Sequence, residues 1–169
     1  MLKEGDAAPD FVLWDAQGRP VRLSSFQGRV VALYFYPRDQ SAGCTLEACN
    51  FRDHHEDLQQ RGVQVVGVSL DSVDSHASFR EKHNLPFLLL SDTDGRVHDM
   101  YGAWHTTLLG RSPLAVRRCT FLIDRDGIIR KVYGHVIPLR HAQQVLKDAE
   151  ALGLVRPVEA PPTPSPPAP

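Results

Sequence analysis

Cysteine is scarce in this 169-residue chain: there are three, at positions 44, 49 and 119, and no two of them form a Cys-x-x-Cys pair. A sparse, odd set speaks against a disulfide-stapled secreted domain. It also denies a structural zinc site its usual second pair of ligands, and denies a thiol–disulfide oxidoreductase its usual motif. Excess charge is missing as well. The 19 basic and 20 acidic residues leave a net charge of -1. The basic residues are scattered, so nucleic acid and anionic membranes are not expected as partners. Long apolar runs are absent too: none approaches the ~20 residues needed to cross a bilayer. The start, "MLKEGDAAPDF", has no apolar core of the kind a secretory leader carries. A cytoplasmic location, away from membranes, is the expectation.

What is present is enough for one core of ordinary size, with 42% apolar and 23% charged residues. The expected domain is residues 1–156. From residue 157 the chain reads "PVEAPPTPSPPAP", seven prolines in 13 residues, which predicts a disordered tail biased to polyproline II. Within the domain, Phe11 to Leu23 carries a turn signal at Gln17-Gly18 between two half-apolar runs and predicts an N-terminal β-hairpin. "VVALYFY" (30–36) and "VQVVGVSL" (63–70) are nearly continuous apolar runs, as strands covered on both faces are. The segment from about Cys44 to Gln60 has room for one crossover helix, making a βαβ unit. "SHASFREKHN" predicts a second helix, "PFLLLSD" a strand and "GRVHDMYG" a short helix. "CTFLIDRDGIIRKVYG" predicts a hairpin turning at Asp126-Gly127, and "LRHAQQVLKDAEALG" a closing amphipathic helix ending at Gly153. This order is thioredoxin-like α/β: a central mixed sheet flanked by helices. Phe79 and Trp104 read as core.

The chemistry gathers at "YFYPRDQSAGCTLEACNFRD", residues 34–53. Projected at 100° per residue, Cys44, Ala48, Phe51, His55 and Leu58 share one stripe. Cys44 then begins the core-facing side of a helix at the carboxyl end of a strand, where sites in open α/β sheets are built. Free N–H groups of a first helical turn favour a thiolate over a thiol, which predicts a depressed pKa. Taken alone, Cys44 reads equally as a small buried hydrophobe. Ser41, three residues earlier, can offer a hydroxyl to the sulfur or to an oxygen bound beside it. Ala42 and Gly43 leave space for a small ligand, and Pro37 ends the strand. Cys44, Cys49, His54 and His55 look at first like a metal cluster, but their spacing does not match zinc sites.

These residues resemble the active-site segment of the peroxiredoxins, thiol peroxidases with a Pro-x-x-x-Thr/Ser-x-x-Cys motif, and in particular the Q-type group, also called bacterioferritin comigratory proteins. Pro37, Ser41 and Cys44 match the motif, and Thr45, Glu47 and Phe51-Arg52-Asp53 match the group's extension. "LLSD" (89–92), "YGAW" (101–104) and "RCTFLIDRDG" (118–127) extend the likeness to roughly residues 4–153. The resemblance implies that Cys44 attacks a hydroperoxide, that Arg118 lies beside the sulfur and that Glu47 helps to hold the arginine. Taken alone, Arg118 reads as a surface residue and Glu47 as an ordinary first-turn acid. Arg117 would point the other way, and Cys119, facing away from Arg118, reads as a core thiol. The chain has Ala42 where the group usually has Pro, and Ser41 where Thr is common.

By the same resemblance, Cys49 is the resolving cysteine, and thioredoxin or glutaredoxin is the reductant. No metal, haem, flavin or nicotinamide is implied, and a monomer is expected, with a weak dimer as the alternative. Helix geometry adds a condition. Residues i and i+5 lie roughly 8.7 Å apart between Cα atoms, whereas a disulfide requires about 4.4–6.8 Å. Pairing Cys44 with Cys49 therefore requires the first turns of the helix to unwind. Two alternatives stand beside this reading: a one-cysteine peroxidase resolved by an external thiol, and a redox-responsive thiol–disulfide or binding module on the same fold.

Overall fold

The computed structural model describes residues 1–105 and 115–156; the Pro-rich tail lies outside them. Strands β1 (Val12–Asp15) and β2 (Pro20–Arg22) form the N-terminal hairpin. Next come β3 (Val30–Phe35), the helices α1 (Ala42–Asp53) and α2 (His55–Gln60), then β4 (Val63–Ser69) and α3 (Val73–His83). Strand β5 (Leu88–Ser91), helix α4 (Arg96–Tyr101), the hairpin β6 (Cys119–Ile123) and β7 (Ile129–Tyr133), and helix α5 (His141–Ala151) complete the domain.

All seven strands join one mixed sheet in the order β2-β1-β5-β4-β3-β6-β7. At its centre β3 pairs parallel with β4 and antiparallel with β6. Every residue of β3 is buried, which explains its unbroken apolar run: neither face has room for a polar side chain. The alternation of the strand then divides the core. Val30, Ala32 and Tyr34 pack with Phe51, Leu58, Phe79 and Val145 from the helices α1, α2, α3 and α5. Val31, Leu33 and Phe35 pack on the other face with Phe11, Val97, Tyr101 and Phe121. Gly67 of β4 permits this packing, because a Cβ there would stand 2.8 Å from the Tyr34 ring and 2.9 Å from Leu89.

The crossover between β3 and β4 differs from the single helix expected over 44–60. The helix starts two residues earlier, at Ala42, and breaks at His54, whose backbone sits at φ -108° and ψ 8°. The His54 ring explains the break. Its Nδ1 lies 2.9 Å from the Asn50 carbonyl, the same oxygen that takes the His54 backbone N–H at 3.3 Å. Two groups compete for one acceptor, and the helix re-forms only from His55. Trp104 also departs from its expected place in the core: it is half-buried, and its Nε1 donates to Asp99 Oδ1 at 2.9 Å. Phe79 is core as expected.

Candidate active site

Strand β3 delivers the chain to the start of α1 through the loop Tyr36–Ser41. Pro37 is half-buried in this loop, and Gln40 takes a positive φ of 65°, unusual for a residue with a Cβ. Asp39 holds the loop in place. Its Oδ1 accepts the Tyr36 hydroxyl at 2.6 Å, and its Oδ2 accepts the Ser75 hydroxyl at 2.8 Å and faces His76 Nδ1 at 2.7 Å. Its backbone N–H donates to Asp71 Oδ2 at 2.9 Å. His76 Nε2 in turn bonds the Leu90 carbonyl at 3.0 Å. Asp39, Asp71 and His76 are the one grouping of metal-ligating side chains among the described residues. Each is committed to these protein bonds and serves to tie the loop to α3 and β5. Sequence reasoning missed this network, since Asp39 and His76 are 37 positions apart and share no spacing rule.

Ser41 caps α1 with extended backbone, φ -69° and ψ 152°. Its hydroxyl donates to the Arg38 carbonyl at 3.0 Å, and its own carbonyl accepts the Thr45 N–H at 2.9 Å. The Ser41 side chain thus tightens the turn leading into the helix, and Thr45 stands half-buried in the first turn.

Cys44 is the third residue of α1, in its first turn, and is 1% exposed. The expected stripe is largely correct: Cys44, Ala48, Phe51 and Leu58 are all buried, while His55 is half-buried. Arg118, just before β6, reaches across to it. Its Nη2 lies 3.2 Å from Cys44 Sγ, and its Nη1 donates to Glu47 Oε1 at 2.8 Å. One guanidinium therefore serves two acids on one face of the helix, a planar fork that an ammonium cannot reproduce. Gly43 makes room for it: a Cβ would stand 3.1 Å from Arg118 Nη2. The space expected to admit a ligand is thus occupied by the arginine.

Glu47 is fully buried, and its Oε2 has no hydrogen-bond partner among the described residues. Burial pushes its carboxyl up to about 7, against the pull of Arg118. The neighbouring Tyr34 hydroxyl is likewise buried and unpartnered, and burial drives its ionisation well above the usual range. Glu47 entered the sequence reading only as support for Arg118; nothing in the sequence marks its second oxygen as an orphan.

Of the other two thiols, Cys119 takes its expected place in the core. Cys49 is half-buried and unpaired in α1, five residues from Cys44. Cys119 is buried among Phe35 and Phe121 on the far face of the sheet. Burial pushes its thiol up to about 12, which suits an inert core residue. Arg117 also points away, its Nε donating to the Gly134 carbonyl at 3.2 Å.

A buried cysteine in the first turn of a helix, with a guanidinium at 3.2 Å, places a fixed cation where negative charge on the sulfur or on an oxygen beside it would be steadied. Comparison with known proteins agrees. A model of the AhpC/TSA family matches residues 4–132. Peroxiredoxin Bcp of Bacillus subtilis is 42% identical over 151 residues, covering 87% of this chain and 96% of that protein. The crystal structure of peroxidoxin BcpB from Mycobacterium tuberculosis superposes with a TM-score of 0.82 at 35% identity, covering 90% of this chain and 99% of that one. A bacterioferritin comigratory protein of Xanthomonas campestris, solved in work on its alkyl peroxide reduction activity, gives a TM-score of 0.78 at 29% identity. That alignment covers 84% of this chain and 91% of that one. This chain, with a buried cysteine beside an arginine at the head of α1 and likeness to peroxiredoxins over most of its length, belongs to the AhpC/TSA family.

Proposed function

We propose that Cys44 is the peroxidatic cysteine of this thiol-dependent peroxidase and that Cys49 resolves it. The observation that carries the assignment is the 3.2 Å contact between Arg118 Nη2 and Cys44 Sγ at the first turn of α1. In the first step the Cys44 thiolate attacks one oxygen of the peroxide. The O–O bond breaks, its electron pair leaves with the second oxygen, and that oxygen takes up a proton to become water or an alcohol. Arg118 steadies the charge as it moves from sulfur to the leaving oxygen. Pro37, Ser41, Gly43 and Thr45 shape the loop and first turn that present the sulfur. The product is a sulfenic acid on Cys44.

In the second step the Cys49 sulfur attacks the Cys44 sulfur, water leaves, and a disulfide forms. With about 8.7 Å between the two Cα atoms in a regular helix, α1 must unwind locally for this step. The unwound disulfide is then open to a dithiol reductant, thioredoxin or glutaredoxin. Hydrogen peroxide and alkyl hydroperoxides are the proposed substrates, the second class supported by the activity described for the X. campestris relative. Three unpaired thiols support a reducing compartment, the cytoplasm. A monomer is the proposed working state. The domain is residues 1–156, with 157–169 a tail outside it.

The test is stopped-flow oxidation of the reduced protein by one equivalent of hydrogen peroxide, with Cys44→Ser and Cys49→Ser variants and non-reducing peptide mass mapping. A fast phase lost in Cys44→Ser and ending in a Cys44–Cys49 disulfide is expected. A fast phase ending in sulfenic acid, or in a bridge to Cys119, would reject Cys49 as resolver. A rate no faster than that of a free thiol would remove the assignment of Cys44.

A further inference from the structure

We propose that Cys44 and Glu47 share a single proton across Arg118, so that Glu47 takes up the proton Cys44 gives up when it becomes the attacking thiolate. The inference rests on the assignment of Cys44 above and concerns how its charge is balanced. Three observations carry it. Arg118 bonds both Cys44 Sγ and Glu47 Oε1. Glu47 is fully buried. Its Oε2 has no partner among the described residues.

A buried thiolate and a buried carboxylate on one guanidinium would leave one negative charge uncompensated away from water, which is costly. One of the two acids therefore holds a proton. Because both are bonded to the same cation, ionising one raises the cost of ionising the other, and they titrate as a pair. The elevated carboxyl of Glu47 fits this state. The groups acting on Glu47 and its partners come from each neighbouring element: Arg118 before β6, Cys44 on α1, Tyr34 on β3, Cys119 on β6, and His141 on α5, which acts through Arg118. Tyr34 and Cys119 are held neutral by burial, and burial lowers His141 to about 4, so it is uncharged at neutral pH. Arg118 is the only one of these that carries positive charge there.

The balance is simple. The S–H bond of Cys44 breaks with its electron pair staying on sulfur, and an O–H bond forms on Glu47; nothing is oxidised or reduced, and Arg118 stays protonated. When attack on the peroxide consumes the thiolate, Arg118 is left beside Glu47 alone. The carboxyl then releases its proton, matching the one the leaving oxygen must gain. Glu47 acts through Arg118 and is a positioning residue.

The test follows two titrations on the reduced, full-length protein. One is thiolate absorbance against pH in the unsubstituted protein and in Glu47→Gln, which keeps the size and an acceptor for Arg118. The other is the infrared band of a protonated carboxyl, assigned by its loss in Glu47→Gln and followed in Cys44→Ser. Sharing predicts that Glu47→Gln reaches half-maximal thiolate at a proton concentration at least about tenfold higher. It also predicts that Cys44→Ser moves the carboxyl band's loss to lower pH by a similar factor. Titrations unchanged within about twofold in both arms would overturn the proposal. If Glu47→Gln fails to fold by circular dichroism, the Cys44→Ser arm still decides, with the band identified by a global isotope label on Glu. Neither readout needs peroxide turnover, so loss of peroxidase activity would count against the assignment of Cys44 and not against proton sharing.

Discussion

The carboxylate of Asp39 and the imidazole of His76 meet at 2.7 Å in a space closed to solvent, although one belongs to the loop before Cys44 and the other to α3. This contact, with Tyr36, Ser75 and Asp71 around it, fixes the path of the chain from Pro37 to Ser41. The loop has no regular backbone ladder of its own to hold it, and Gln40 sits at a positive φ that the surroundings must enforce.

Removing His76 should therefore act on the site at a distance. His76→Ala leaves a buried acceptor on Asp39 without one of its partners, and an unmade buried hydrogen bond costs about 1–3 kcal/mol. Urea unfolding should show that loss. Peroxide oxidation of Cys44 should slow as the loop loosens, although no atom near the sulfur has changed. An unchanged oxidation rate in a folded, destabilised His76→Ala protein would show that the network supports stability alone.

Arg118→Lys keeps the charge and loses the fork. An ammonium cannot bond Cys44 Sγ and Glu47 Oε1 with the planar geometry seen here. The second-order rate with hydrogen peroxide should fall by about 10²–10³, the range for losing one aimed donor. Retention of the full rate would mean that net charge suffices.

Ala42→Pro should be tolerated and informative. Position 42 is the first residue of α1, where a proline fits, and Ser41 at ψ 152° already has the extended backbone that a following proline requires. The substitution should stabilise α1 by about 0.4–1 kcal/mol. Since the proposed Cys44–Cys49 disulfide requires unwinding of the same turns, the step from sulfenic acid to disulfide should slow by up to about fivefold, with the first oxidation unaffected. Rapid-mixing fluorescence resolves the two steps.

Two buried groups should give the folded protein opposing pH slopes. Burial raises Glu47 to about 7 from an ordinary 4.5, so the native state holds a proton that the unfolded chain has released, and stability falls as pH rises from about 4.5 to 7. Burial lowers His141 to about 4 from 6.5, so the unfolded chain binds the proton first, and stability rises over about pH 4 to 6.5. Each contribution is at most about 3 kcal/mol, and they largely cancel. Glu47→Gln should expose the rising slope. His141→Gln, which keeps an amide for the Thr120 hydroxyl now 2.7 Å from the ring, should expose the falling one. Denaturant midpoints measured from pH 4.5 to 7.5 decide. Parallel curves for all three proteins would mean that neither group is linked to folding.

The sequence by itself determined what depends on neighbours along the chain. The unbroken apolar run at 30–36 read as a strand buried on both faces, and a helical period projected from Cys44 put Cys44, Ala48, Phe51, His55 and Leu58 on one stripe, of which the first three lie in α1 and the last two in α2. The strand alternation likewise sent Arg118 and Cys119 to opposite faces, and the short span from Pro37 to Cys44 carried its resemblance despite Ser41 and Ala42. Local pattern was less reliable where a side chain competed with the backbone, as when the His54 ring took the Asn50 carbonyl and split the predicted helix. Only the tertiary structure decided which distant groups would meet. Asp39 found His76, Thr120 found His141, and Arg118 reached both Cys44 and Glu47. It also left one oxygen of Glu47 buried without a partner. Burial and ion pairing depend on what the packed sheet brings within a few ångströms, and no spacing rule along the chain encodes that distance.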